Sequence, residues 1–133
     1  MDSKAIALTA ARVADEKKAT DIIIQKVKDL FLVSDYFVIV SGQNNRQVNA
    51  IVDAIEERIR DEYGIKPLGR EGAVECTWVL LDYGDVIIHV FQPEIREFYR
   101  LETLWNDAPI VDIAEAGIID PIYTERIAKI IGL

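Results

Sequence analysis

The chain has 133 residues, 50% of them hydrophobic, and a net charge of −8. This is the length of one domain with enough apolar material for a single core, which excludes global disorder. No apolar run approaches the roughly 20 residues that span a bilayer, and the single Cys excludes an intramolecular disulfide framework.

The opening residues, MDSKAIALTAARVADEKK, carry an early acid and no apolar h-region. They read as neither a signal peptide nor an Arg- and Ser-rich transit peptide, so a soluble, reducing, cytosolic setting is expected. Residues 5–18 combine Ala and Leu with mixed charge and no breaker, which predicts a helix. Residues 21–27 (DIIIQKV) are β-branched and predict a strand. Residues 35–41 (DYFVIVS) predict a second, mostly buried strand bounded by Ser-Gly. Asn44 or Asn45 is the expected N-cap of the next helix. Its apolar residues, Val48, Ile51, Val52, Ile55 and Ile59, follow the period of one buried helical face. Gly64 is its expected C-cap, with Pro67 shortly after.

Residues 76–82 and 85–91 are apolar runs around Tyr83-Gly84, which predicts a β-hairpin with those two residues as the loop. That loop pairs Asp82 with Asp85, Leu80 with Ile87, and Trp78 with His89. One face of the hairpin then shows Val79, Leu81, Val86, Ile88 and Val90, and is expected to meet the core. The other shows Cys76, Trp78, Leu80, Asp82, Asp85, Ile87, His89 and Phe91. A second layer of helix would cover it, or it would be a recognition face. Pro93 opens a further helix striped by Ile95, Phe98, Leu101, Leu104 and Trp105. Asp107-Ala108-Pro109 ends it. Ile122, Ile127, Ile130 and Ile131 suggest a short C-terminal helix. The order of helix, two strands, helix, two strands and helix predicts an α/β fold with a mixed sheet. The strands flanking residues 47–63 are expected to be parallel, as neighbours or one strand apart. The domain is assigned to residues 1–109, with 110–133 as a tail.

Charge is unevenly placed. Residues 1–70 hold 11 Lys/Arg and 11 Asp/Glu, whereas residues 71–133 hold 4 and 12. An acidic half repels nucleic acid, DNA included, and steers a basic protein toward it. Catalytic templates fit poorly. Cys76 and His89 sit out of step across the hairpin with no residue placed to orient the His. One Cys and one His make no zinc site without further ligands. There is no P-loop and no G-x-G-x-x-G. Ser41–Arg46 offers a strand–turn–helix that could hold an anion, but an ordinary cap explains it. Asp82 and Asp85 suggest a metal pair, yet Asp at a tight turn serves local hydrogen bonding. No catalytic, metal or cofactor site is therefore assigned.

Several ordered segments carry a family likeness: Ala19-Thr20-Asp21-Ile22, Ser34-Asp35-Tyr36-Phe37-Val38-Ile39, Ser41-Gly42 with Arg46-Gln47-Val48, and Pro67-Leu68-Gly69 with Glu71-Gly72. The most specific are Trp78-Val79-Leu80-Leu81-Asp82-Tyr83-Gly84-Asp85-Val86 with His89-Val90, and Arg96 with Tyr99, Leu101-Glu102 and Leu104-Trp105. From about residue 10 to residue 109 the chain resembles the Iojap-like ribosome silencing factors (RsfS). The resemblance implies a nucleotidyltransferase-like fold without its catalytic signature, no cofactor, and a frequent homodimer. It also implies binding to a protein on the subunit-joining face of the large ribosomal subunit, which blocks the small subunit and represses translation. A Ser is usual in that family near the position of Asn44.

The expected contact centre is Trp78, Asp82, Tyr83 and Asp85, with Glu71 and Glu94 as a charged rim to a basic ribosomal protein. A degenerate nucleotidyltransferase using Asp82 and Asp85, and a purely structural dimeric module, are the rival readings.

Overall fold

The computed structural model describes residues 2–28 and 34–133. In chain order the elements are α1 (Ser3–Glu16), β1 (Thr20–Lys26), β2 (Tyr36–Ser41), α2 (Asn45–Tyr63), β3 (Gly69–Glu71), β4 (Trp78–Asp82) and β5 (Val86–Phe91). There follow α3 (Pro93–Tyr99), α4 (Leu101–Leu104), a 3-10 turn at Ile113–Ala116, and α5 (Glu125–Ile130). The strands form one five-stranded sheet in the order β1-β2-β5-β4-β3. Only β2 and β5 are parallel neighbours; the other pairs are antiparallel. The expected mixed α/β sheet is therefore what forms.

The local chemistry explains the best-defined helix. Asn44 adopts extended backbone, and its side chain accepts the Gln47 amide at 2.9 Å. The helix ends at Gly64, which takes φ +69° where a Cβ would be strained. Its five predicted apolar residues are all buried, each worth about 1.5–3 kcal/mol of burial. With α1 it covers one face of the sheet, over Val38, Val40, Val79, Leu81, Val86, Ile88 and Val90.

Several expectations are corrected. The strand β3 was not anticipated. It pairs with β4 as Gly69↔Asp82, Arg70↔Leu81 and Glu71↔Leu80. Because β5 lies between β2 and β4, β4 is one strand from β2 but antiparallel to it, and the parallel neighbour is β5. The predicted third helix is broken. Arg100 takes φ 49°, and two short helices result, with Phe98 78% and Leu104 70% exposed instead of forming a buried stripe.

The segment after Pro109 also belongs to the same body. Lys26 and Asp21 donate backbone bonds to the Pro109 and Ile122 carbonyls, and Val111 donates to the Ile24 carbonyl, which closes the free edge of β1. Asp21, at φ 51° beside a bulge in β1, accepts the Thr124 amide at 2.7 Å. Ile113, Ala116 and Ile118 join the core under α1, and Ile127 of the short α5 joins the opposite cluster.

Candidate functional site

The second face of the sheet is only partly roofed. At one end Ile95, Leu101, Trp105 and the α5 region pack over Phe91, Phe37 and Ile39. The roof is held by a buried polar junction. The Glu102 carboxylate, fully buried, accepts from Arg96 Nε at 3.4 Å and from Arg126 Nη2 at 2.6 Å. Arg96 Nη1 also donates to Ser41 Oγ at 2.9 Å, and Arg126 Nε to Glu97 at 2.7 Å. Burial pulls the Arg96 pKa down, against the opposing pull of Glu102 and Asp21. The residues Arg96 and Glu102 thus act as a structural clamp.

At the other end no described helix roofs the face. A depression of about 320 Å³ is lined by Ser34, Phe37, Gly69, Glu71, Leu80, Asp82, Ile87 and His89. Its floor follows from register. Leu80 pairs with His89, Asp82 with Ile87, Glu71 with Leu80, and Phe37 with Ile87, so these side chains share one face. Phe37 was missed as a site residue because β2 reads as buried on both sides; its parallel register to β5 is what places it here.

The hairpin loop differs from expectation. Asp82 pairs with Ile87 and Trp78 with Phe91, and the Tyr83 amide donates to the Val86 carbonyl, so the loop is Gly84-Asp85. Gly84, at φ +82°, takes the first loop position, where glycine alone fits without strain. The register moves by two residues in sum, so the assignment of faces is unchanged. Tyr83, expected at the contact centre, lies 5% exposed in the core, because the new loop turns it inward. Burial raises its phenol to about 12. Tyr83 therefore supports the turn from below and offers no contact surface.

The other site residues fall as follows. Asp82 lines the depression, and its Oδ1 accepts the Gly84 amide at 2.8 Å. Asp85 has an exposed side chain, while its carbonyl accepts from the Asp35 and Tyr36 amides. The two carboxylates thus serve different parts of the turn. Glu71 is exposed on the edge strand, and Glu94 is exposed in the first turn of α3 and does not line the depression. Cys76 departs from the expected face. Its backbone takes φ 57°, and its thiol turns into the core beside α2, where its single S–H has two acceptors in reach, the Ala73 carbonyl at 2.9 Å and Asn49 Oδ1 at 3.1 Å. Among the described residues no three His, Cys, Asp or Glu side chains gather as metal ligands, and no helix is long and apolar enough to cross a membrane.

Trp78 joins the two ends of the face. It is half-buried, stacked on Phe91 at 4.7 Å and tilted on Tyr99 at 5.1 Å. Its Nε1 donates to His89 Nδ1 at 3.1 Å. His89 is 4% exposed and meets Phe37 edge-on at 5.2 Å. Burial, aided by Arg96, pushes its pKa down to about 3, so the ring is neutral. With Nδ1 accepting, the ring proton sits on Nε2.

The geometry has counterparts in known proteins. Residues 1–128 match a family model described as "Ribosomal silencing factor during starvation". A Bacillus subtilis protein, "Ribosomal silencing factor RsfS", is 43% identical over 113 residues, covering 85% of this chain and 95% of its own. A crystal structure of a Chromobacterium violaceum protein superposes with a TM-score of 0.75 at 32% identity, covering 79% of this chain and 87% of that one. A mouse protein, "Mitochondrial assembly of ribosomal large subunit protein 1", is 33% identical over 96 residues, covering 68% of this chain and 41% of its own.

Proposed function

The chain belongs to the ribosomal silencing factor family, and we propose that it represses translation by binding the large ribosomal subunit and sterically blocking its union with the small one. The observation that carries this reading is the open end of the second sheet face. There an aromatic and aliphatic floor meets Glu71 and Asp82, with Asp85 exposed at the adjoining turn, and none of these three forms an ion pair among the described residues. Such a surface suits a basic protein on the subunit-joining face, because opposite charge steers encounter while a desolvated apolar centre supplies affinity. The names of the relatives support a ribosomal target, and that of the mouse relative supports its large subunit.

In this reading Trp78, Asp82 and Asp85 form the contact centre and Glu71 and Glu94 the rim. The action is occupancy in the cytoplasm, with no covalent bond changed and no cofactor. The factor works as a homodimer in its free state, which sedimentation equilibrium would measure.

Co-sedimentation with separated ribosomal subunits, followed by light scattering as the subunits are mixed, tests the reading. Binding to the large subunit alone with joining suppressed is expected. Binding to neither subunit would overturn it, and a Mg²⁺-dependent nucleotide titration would then test the rival enzyme reading.

A further inference from the structure

The turn between β4 and β5 is shaped from outside its own hairpin. Gly84 and Asp85 are its two central residues, and of the two only Gly84 takes a positive φ, +82°. That is the pattern of a type II′ turn. Rotating the peptide unit that joins them would give type I′, which asks positive φ of both. Glycine adopts that conformation freely, and Asp is among the few other residues that visit it. The two residues by themselves therefore do not choose between the turns. The choice falls to Ser34. Its hydroxyl, in a side chain only 3% exposed, donates to the Gly84 carbonyl at 2.9 Å, and that carbonyl belongs to the peptide unit that would rotate. The next two residues hold the next carbonyl: the amides of Asp35 and Tyr36 donate to the Asp85 carbonyl at 2.7 and 3.1 Å. Asp82 Oδ1 takes the Gly84 amide at 2.8 Å. What is left free is the Asp85 side chain, exposed and without an ion pair among the described residues. Positive φ at Asp85 would set its Cβ against the Gly84 carbonyl oxygen and so redirect the carboxylate.

We propose that Ser34 is a positioning residue for large-subunit binding: by holding the Gly84 carbonyl it selects the turn from which the Asp85 carboxylate is presented to a cationic side chain of the partner. Ser34 acts through the turn and not through a contact of its own. Fixing the carboxylate before encounter spares the complex the cost of ordering it. The proposal rests on the ribosome-binding reading above and adds to it a residue whose effect passes through Asp85.

Purified large ribosomal subunits are the probe, and co-sedimentation gives the Kd. Ser34→Ala removes one hydrogen bond and is expected to raise the Kd about fivefold. Asp85→Asn keeps the shape of the side chain and removes its charge. In that background Ser34→Ala is expected to change the Kd by less than about twofold, because the group that Ser34 positions is gone. A hydroxyl that served only the fold would give the same fold-change in both backgrounds. A second measurement needs no variant. In the ¹⁵N-labelled native chain the Asp85 amide is expected to give one resonance, with the HN–Hα coupling of a negative φ. An equal rise in Kd in the two backgrounds, a Ser34→Ala Kd within about twofold of native, or two Asp85 conformers in the native chain would overturn the positioning role and leave the broader reading standing. Absence of native binding would remove both.

Discussion

Trp78 carries a stability role and a binding role, and the two can be separated. Full burial makes a Trp→Ala change cost about 3–5 kcal/mol. Trp78 is half-buried, so roughly 2 kcal/mol of that range applies to losing its packing on Phe91 and Tyr99. Removing the indole N–H also strands His89 Nδ1 in a buried site, adding about 1 kcal/mol. Trp78→Ala should therefore lose about 3 kcal/mol, or about 10 °C in Tm for a domain of this size. Trp78→Phe keeps the stack and loses only the hydrogen bond, for about 1 kcal/mol and 3–4 °C. Far-UV circular dichroism melts measure both. A Trp78→Ala melt within about 3 °C of the native chain would refute the packing argument. The binding cost of Trp78→Ala, roughly 2 kcal/mol for a hot spot, must then be read well below the lowered melting point.

Glu102→Ala leaves the buried Arg96 guanidinium hydrogen-bonded to no carboxylate and should cost about 3–5 kcal/mol in urea unfolding; a loss under about 1 kcal/mol would show that the clamp is dispensable. The glycines divide by what a Cβ would meet. At Gly72 it would sit 2.0 Å from the Trp78 carbonyl oxygen, whereas at Gly84 the nearest atom is Leu68 Cδ1 at 3.6 Å. Gly84→Ala should thus cost only the positive-φ penalty of about 1 kcal/mol and Gly72→Ala clearly more, and the reverse order of melting temperatures would contradict this. His89 stays neutral in the fold down to about pH 3, whereas the unfolded imidazole takes its proton near pH 6.5. Between these values the unfolded chain binds more protons, so stability should fall as pH drops from about 6.5 toward 3, by up to about 1.4 kcal/mol per unit. His89→Gln should lose less on acidification, and parallel melting curves for the two proteins would count against that sign. Asp82→Lys should weaken large-subunit binding and flatten its salt dependence, and an unchanged affinity would remove Asp82 from the contact.

Where local chemistry settles a structure, the sequence was enough to read it. The helix α2 has its period, its Asn44 cap and its Gly64 terminus written in consecutive residues. Hairpin faces were legible because alternation has a period of two, which a register change of two preserves. The loop itself was also encoded. A Tyr83-Gly84 loop of type I′ would force positive φ on a tyrosine, whereas Gly84-Asp85 asks it only of glycine. By contrast β3 spans three residues between Gly69 and Gly72, too short for a pattern to show. The helix break at Arg100 has no Gly or Pro to announce it. Residues 96 and 102 are buried as an ion pair while Phe98 and Leu104 face outward, an inversion of the apolar stripe that only tertiary context sets. The open depression needs β2, β3, β4 and β5 together, and no single segment holds it.

The placement of charge follows from the same packing. The acidic half has four cations, and all four are engaged around the helical roof: Arg96 with Glu102, Arg126 with Glu97 and Glu102, Arg100 with Glu97, and Lys129 with Glu125. Building the roof therefore uses every positive side chain of residues 71–133. The acids at the far end of the sheet, Glu71, Asp82 and Asp85, are left without a cation from that half. Arg70, the nearest cation in sequence to the rim, belongs to the other sheet face and pairs with Asp53 and Glu56 of α2. The negative field at the depression is thus a consequence of how the fold closes its opposite end. A partner supplying Lys or Arg there would complete a pairing that the described residues do not make.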